Sequence, residues 1–405
     1  KIIINKNFDK SFLKKININT SIEVHGTIVK SKGKKQDIEI YAKSIHIFYS
    51  SDIIELQKTI LQPKNHSLKK LREQAHLRFR TNIFSAIMRI RHNLSFAIHK
   101  FFNEKGFFYI HTPIITSIDA EGAGKMFRVT TLDIKCDNKR DFFGKKTYLT
   151  VSGQLEAEAA ALALGKVYTF GPTFRAENSN TYRHLSEFWM IEPEIAFYEL
   201  NSTIQLAIKF LKFIILYVTK YCKEDLNFLN DFKKKKQNTI NYLESILNKS
   251  FEIISYTSAI NILKKNFTNI VWGIDLQSEH EKFLVEKYFK SPVVLFDYPE
   301  KIKAFYMRLN KDEKTVSAMD ILLPNVGEII GGSQREERYD ILYKRIHKMN
   351  ININNIKWYL DTRRFGSVPH SGFGLGFDRL VQFITCMNNI RDVIPFPRIP
   401  GNADF

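Results

Sequence analysis

Apolar and polar residues alternate with period two along Ser21-Ile22-Glu23-Val24-His25-Gly26-Thr27-Ile28-Val29 and again along Asp37 to Ala42. Lys32-Gly33-Lys34-Lys35 lies between them, so the segment predicts a hairpin with one wet face, as in small β-barrels. From 51 to 82 the alternation gives way to Lys, Gln and Asn with Pro63 and His66. That predicts a linker carrying a short basic helix over 68–78. Ile87, Ile90, Leu94, Ile98 and Phe101 then recur at steps of three or four, which predicts a helix over 84–105 stopped by Gly106. Phe107 to Ile110 reads as a strand ended by Pro113. Tyr148 to Val151, Val167 to Phe170 and Glu187 to Ala196 read as further strands, and the Ala-rich run 155–164 as a helix closed by Gly165. Residues 200–290 are mostly amphipathic helix. Residues 292–400 return to strands and tight Gly turns, followed by a final helix from Phe377 to about Met387. No internal repeat is visible.

The 405 residues exceed the usual size of a single hydrophobic core, and 44% are apolar, so two or more packed domains are expected. The formal net charge of +19 points to a polyanionic partner, with nucleic acid first. AT-rich coding, which favours Lys, Ile, Asn and Phe, gives the same excess, and composition alone leaves both readings open. The three cysteines, Cys136, Cys222 and Cys386, stand far apart without CxxC spacing, which argues against a zinc site or disulfide framework and fits a reducing cytosol. No apolar run is read as reaching the ~20 residues that span a bilayer, so no membrane partner is expected. The chain opens at Lys1 on Ile2-Ile3-Ile4, and residues of a complete first domain are expected before it.

Three clusters carry candidate chemistry. In Thr173-Phe174-Arg175-Ala176-Glu177, followed by Arg183-His184-Leu185-Ser186-Glu187-Phe188, guanidinium groups flank a hairpin. Their planar forks suit phosphate oxygens, and Phe188 suits a flat base. The competing reading is an ordinary surface hairpin. Asp320 and Glu328 precede Gly331-Gly332-Ser333-Gln334-Arg335, and two carboxylates near a Gly turn suit Mg²⁺. Alternatively each pairs with a nearby arginine, Arg335, Arg338 or Arg363. In Gly372-Phe373-Gly374-Leu375-Gly376-Phe377-Asp378-Arg379 the glycines permit close backbone approach, and Arg379 opens an apolar helix. A dinucleotide-binding turn is rejected because its third Gly and its βαβ context are missing. Gly122-Ala123-Gly124-Lys125 fails as a Walker loop because Met126 follows the Lys.

In this order the strings resemble motifs 1, 2 and 3 of class II aminoacyl-tRNA synthetases: Phe107 to Pro113, Phe174-Arg175-Ala176-Glu177, and Gly374-Leu375-Gly376-Phe377-Asp378-Arg379. Thr169 to Thr181, Gly327 to Arg338 and Asp392-Val393-Ile394-Pro395-Phe396-Pro397-Arg398 are similar to the bacterial asparaginyl group of subclass IIb. The resemblance covers nearly the whole chain. It implies an α+β fold. The C-terminal part of an OB β-barrel that binds the anticodon would occupy 1–50 and a hinge 51–82. A catalytic domain over 83–405 would hold a six-to-seven-stranded antiparallel sheet flanked by helices, with a helical insert at about 200–290. It further implies a homodimer through motif 1 around Pro113, a cytoplasmic location, and ATP, L-asparagine and tRNA(Asn) as partners.

Carried over residue by residue, Arg175 would hold the α-phosphate, Glu177 the adenine edge and Arg379 the γ-phosphate. Arg183 would join the ATP site, His184 would approach the γ-phosphate, and Phe188 would stack on adenine. Asp320 and Glu328 would hold Mg²⁺, with Ser333 nearby. Glu121, Ser152 and Gln154 would hold the α-amino group, Glu192 would accept from the side-chain amide, and Arg335 would donate to its oxygen. Related aspartyl enzymes carry a Lys in a Ser-x-Gln-Leu-x-Lys run; here the run is Ser152-Gly153-Gln154-Leu155-Glu156-Ala157, and losing that cation removes attraction for aspartate. The alternatives are an aspartyl enzyme of relaxed specificity, a paralogue making free asparagine, and a non-catalytic tRNA-binding module.

Overall fold

In the computed structural model, which describes residues 1–4, 8–33, 36–120, 125–132, 138–233 and 238–405, the chain divides into two units, residues 1–85 with Phe405, and residues 86–404. In the first unit the alternating segments form strands β1 (Ile2–Ile3), β2 (Ser21–Lys30) and β3 (Ile38–Tyr49), in the order β1-β3-β2. The β2–β3 pair is antiparallel and leaves Ile28, Phe48 and Tyr49 exposed, as a half-wetted hairpin does. Lys34 and Lys35, half of the expected turn, lie outside the described residues. The expected helix over 68–78 is two short helices, Leu68–Glu73 and Ala75–Arg78. It breaks at Gln74, whose Oε1 accepts from Ile60 N–H (2.9 Å) while its Nε2 donates to Lys58 O (3.2 Å). A side chain that satisfies loop backbone in this way competes with helix continuation.

In the second unit, helix α1 (Asn82–Glu104) ends where Gly106 takes φ +74°. The main sheet is built from β4 (Phe108–Tyr109), β8 (Lys166–Phe174), β9 (Glu187–Ala196), β10 (Glu252–Ser255), β11 (Val293–Pro299), β12 (Thr315–Leu323), β13 (Gly327–Gln334) and β14 (His370–Gly376). A small sheet holds β5 (Ile115–Thr116), β6 (Arg128–Val129) and β7 (Thr147–Leu149). The main sheet has the order β10-β11-β12-β13-β14-β9-β8-β4. Among the described residues it therefore has eight strands where six or seven were expected. Its interior pairs are antiparallel, and both edge pairs, β10–β11 and β4–β8, are parallel. The extra edge, Glu252–Ser255, falls inside the stretch expected to be helical. Four residues with two central isoleucines give no periodicity to separate strand from helix.

Helix α2 (Gln154–Leu164) is closed by Gly165 at φ +84°. Helix α3 (Leu200–Tyr221) buries Phe210, Leu211, Ile214 and Ile215 and packs on β12, β13 and β14. It corrects the reading that no segment reaches membrane-span length: α3 is long and apolar enough, but half of its most apolar window is buried, as a core helix requires. Phe102 of α1 stacks on Tyr168 of β8 at 4.6 Å and lies 5.0 Å from Phe210 of α3. Two helices were not anticipated, α4 (Tyr339–Lys348) and α5 (Ile353–Arg364). Their apolar stripes are narrow, Leu342 and Ile346 on one and Ile356, Tyr359 and Leu360 on the other. They close a second core with Val151, Leu155 and Phe305. Helix α6 (Phe377–Thr385) follows β14 directly through Gly376.

Candidate active site

Two polar clusters lie on the central strands of the large sheet. The first surrounds a cavity lined by Arg175, Glu177, His184, Phe188, Glu328 and Arg379, with Arg183, Gly374 and Gly376 also on its wall. Arg175 leaves the end of β8, and Phe188 enters β9 opposite Thr173. The loop between them is held at both ends. Arg175 N donates to Ser186 O (2.9 Å), and Ser186 N donates to Arg398 O (2.8 Å) of the C-terminal segment. The Arg175 guanidinium lies over the Phe188 ring, 5.4 Å from its centroid. Arg379 is in the first turn of α6, and its Nη1 donates to Glu328 O (3.0 Å). The helix start is itself fixed, because Asp378 is buried and accepts from Arg91 Nη1 (2.6 Å) and from Trp189 N (3.1 Å). Burial and the nearby Arg379 both lower the His184 pKa, favouring a neutral imidazole; its Nδ1 bonds Thr181 Oγ1 (2.5 Å).

Glu328 on the wall of this cavity converges with Asp320 over Gly331. A methyl group at Gly331 would sit 3.3 Å from Asp320 Oδ1 and 3.1 Å from Glu328 Oε1. The β12–β13 register pairs Asp320 with Gly331, so the missing side chain leaves a space that both acids face. Burial and then Asp320 push the Glu328 carboxyl above the usual range. Burial, with Glu328 next, raises Glu281 to about 7. An acidic pair crowded in this way, offering few protein oxygens, fits Mg²⁺ arriving with phosphates. None of the three arginines considered from sequence serves these acids. Arg335 pairs with Glu194, Arg338 with Glu336, and Arg363 with Glu158. Asp320 instead meets Lys303 Nζ at 2.8 Å. Ser333 lies two residues on from Gly331 along β13, and its Oγ accepts from Arg335 Nη1 (2.7 Å).

The second cluster is buried. Glu192 on β9 accepts from Ser152 Oγ, from Gly153 N (3.0 Å) and from Thr169 Oγ1 (3.2 Å). Glu194, two residues along the same strand face, forms a two-point ion pair with Arg335 through Nε (3.1 Å) and Nη2. Glu158 on α2 accepts from Gln154 Nε2 (2.9 Å), from Tyr359 OH (2.6 Å) and from Arg363 Nη2, and bonds His370 Nε2 (3.1 Å). Burial opposes ionisation of Glu158, but Arg363, His370 and Arg335 outweigh it and hold its carboxyl well below the usual range. Ser152, Gln154, Glu192 and Arg335 are thus brought into one connected cluster. Glu121 and the glycines of its loop lie outside the described residues.

The register explains a glycine here. Gly372 on β14 pairs with Glu194 on β9, and a Cβ there would collide with the Glu194 carboxylate and with Pro193 O. Gly372→Ala should therefore push Glu194 off Arg335 and destabilise the fold by about 2–3 kcal/mol, as overpacking does. Chemical denaturation measures this, and an unchanged midpoint would show that the sheet relaxes freely at this point.

Residues 67–400 match the family model of class II tRNA synthetases (D, K and N). The asparagine–tRNA ligase of Cytophaga hutchinsonii is 55% identical over 411 residues, covering 98% of this chain and 88% of its own length. That of Azobacteroides pseudotrichonymphae is 56% identical over 408 residues, covering 97% of this chain and 86% of its own length. The chain belongs to the class II tRNA synthetases of the asparagine–tRNA ligase family. The crystal structure of asparaginyl-tRNA synthetase from Pyrococcus horikoshii complexed with asparaginyl-adenylate matches this synthetase with a TM-score of 0.88 at 32% identity, covering 99% of this chain and 89% of that one.

Sequence reading of the synthetase missed Glu158, Glu194, Lys303, Tyr359 and His370. Glu194 had a signal. In Met190-Ile191-Glu192-Pro193-Glu194 the two acids share one face of an expected strand, between apolar Ile191 and Ile195, and a buried acid demands a partner. The others come from segments far apart in sequence and carried no local signal.

Proposed function

We propose that this synthetase activates L-asparagine with ATP, giving asparaginyl-adenylate and pyrophosphate, and passes the asparaginyl group to the 3′ end of tRNA(Asn). The observation that carries the choice of amino acid is the buried cluster of Glu192, Glu194 and Arg335 beside Ala157, where the aspartyl enzymes carry a lysine. Glu192 is held by neutral donors, Ser152, Gly153 N and Thr169, so it meets the substrate side chain with its own charge and disfavours a second carboxylate there.

In the first step the asparagine carboxylate attacks the α-phosphorus. Arg175 takes the developing charge on the α-phosphate, and Arg379 and Arg183 take the charge of the leaving pyrophosphate. Phe188 and the stem of Arg379 clasp the adenine, Glu177 accepts from its amino group, and neutral His184 donates toward the γ-phosphate. Positioning and charge neutralisation supply the rate, and the protein forms no covalent bond. Mg²⁺, held by Asp320 and Glu328, would neutralise phosphate charge. The Gln154 amide is oriented by its donation to Glu158, which turns its oxygen to the substrate ammonium, with Ser152 and Glu121 as further contacts. Glu192 accepts from the side-chain amide NH₂, and Arg335 donates to its oxygen.

The exposed apolar run around Pro113, with Phe108, Tyr109, Ile114 and Ile115, supports a homodimer through motif 1. The half-wetted β2–β3 hairpin, with exposed Phe48 and Tyr49, supports part of an OB barrel over 1–50, joined through 51–82 to the catalytic domain over 83–405. The +19 charge suits tRNA phosphates, and the work is cytoplasmic, where tRNA and ATP are drawn on together.

ATP–pyrophosphate exchange with each amino acid, followed by charging of tRNA(Asn), tests this reading. Exchange is expected with asparagine and near background with aspartate. Equal exchange with aspartate would favour an aspartyl enzyme of relaxed specificity, and release of free asparagine without tRNA would favour the asparagine-forming paralogue.

A further inference from the structure

Lys303 has no part in the roles above. It follows the short turn Glu300–Ile302, and its ammonium sits 2.8 Å from Asp320 Oδ2 and 3.9 Å from the centroid of the buried Tyr298 ring. Asp320 lies on β12 and Tyr298 on the adjacent β11, so the charge is fixed on the sheet and is not a solvated tether. Asp320 is thereby divided between two tasks. One oxygen, Oδ2, meets the ammonium, and the other, Oδ1, faces the space over Gly331 beside Glu328 Oε1. Glu281 adds a third acid, its Oε2 accepting from Glu328 N (3.3 Å), and Arg183 and Arg379 line the same cavity as Glu328.

We propose that Lys303 is a resident cation of the metal site, a positioning residue that aims Asp320 at Glu328 and keeps free divalent ions out until the nucleotide arrives. The inference rests on reading Asp320 and Glu328 as the Mg²⁺ carboxylates. A fixed ammonium a few ångströms from the metal position repels a divalent ion, and the effect persists at the effective dielectric of a protein. ATP reverses the balance, because its phosphates bring negative charge that both the ammonium and the metal can face. Around the site Lys303, Arg175, Arg183 and Arg379 stand against Asp320, Glu328 and Glu281, with Asp275 near Lys303 and Glu286 near Arg183. The metal then enters with ATP, and it does not wait in the site beforehand.

The test is Mn²⁺ binding by the full chain without nucleotide, followed by electron paramagnetic resonance. Lys303→Met keeps the length of the stem and removes the charge. It should bind Mn²⁺ at least about tenfold more tightly than the unsubstituted chain, and adding Asp320→Asn should abolish the gain. Lys303→Arg should bind as weakly as the unsubstituted chain. If Lys303→Met does not fold, Lys303→Gln, a neutral donor to Asp320, carries the same expectation. Equal affinity with and without the charge overturns the inference. A parallel titration with a non-hydrolysable ATP analogue separates the two readings: metal uptake there that ignores Asp320→Asn overturns the carboxylate assignment itself, and the inference with it.

Discussion

Arg379→Ala is expected to lower asparagine-dependent pyrophosphate exchange by roughly 10²–10³-fold, the usual loss for one donor that meets transition-state charge, while leaving the fold intact. The two halves of that expectation have separate structural grounds. Arg379 lines the cavity with Arg175 and Glu328, where pyrophosphate would depart, and a guanidinium fork there supplies charge and direction that water cannot. Within the chain its Nη1 donates to Glu328 O, so truncation removes a half-buried interaction of about 1 kcal/mol. The helix that carries it is anchored independently by Asp378, through Arg91 and Trp189 N. Exchange should therefore collapse with the unfolding midpoint nearly unchanged, and Arg379→Lys should recover only part of the rate. Near-normal exchange by the alanine variant would remove Arg379 from the ATP site. Arg335 makes the contrast: it is buried against Glu194 and Glu158. Its removal would strand Glu194 at a cost of about 3–5 kcal/mol, so the same experiment there could not separate chemistry from stability.

The difference between these two arginines also shows what the sequence carried and what it did not. Arg379 was legible because its neighbours in sequence, the glycines of β14 and the apolar helix after them, are its neighbours in space. The strands at Val167 and Glu187 and the helices at 84 and 155 were legible for the same reason: a local period fixes a local element. The partners of Arg335 were not. Glu158, Glu194 and His370 come from α2, β9 and β14, and only the strand order β13-β14-β9 brings two of these segments beside it. The edge strand Glu252–Ser255 was lost because its partner, Val293–Phe296, lies some forty residues on, and four residues carry no period. Helices α4 and α5 were lost because their buried stripes are narrow, inside a stretch read as strands and tight Gly turns. Ser333 shows the limit from the other side. The family resemblance placed it near the metal, and the structure shows its hydroxyl accepting from Arg335.

Ala157→Lys should shift the ratio of asparagine to aspartate activation toward aspartate by roughly 10–100-fold, the size of one charge–charge interaction across several ångströms at an effective dielectric near 20. The structure changes how that expectation must be tested. Ala157 is fully buried and packs with Ala161, Val167, Ile110 and Ala160, so a longer side chain has to displace apolar neighbours. Its flanks on α2, Gln154 and Glu158, are both parts of the buried cluster, and Glu192 holds the amide of Gly153 just before the helix. A lysine at 157 is therefore drawn toward Glu192 and Glu158, where its charge offsets that of Glu192, the acid that disfavours aspartate. Ala157→Met brings a comparable bulk without the charge. If the methionine variant loses activity for both amino acids alike and the lysine variant alone changes their ratio, charge at this position sets the selection. If both variants shift the ratio equally, or neither does, the neutral residue at 157 is there for packing, and rejection of aspartate rests on Glu192 and Glu194.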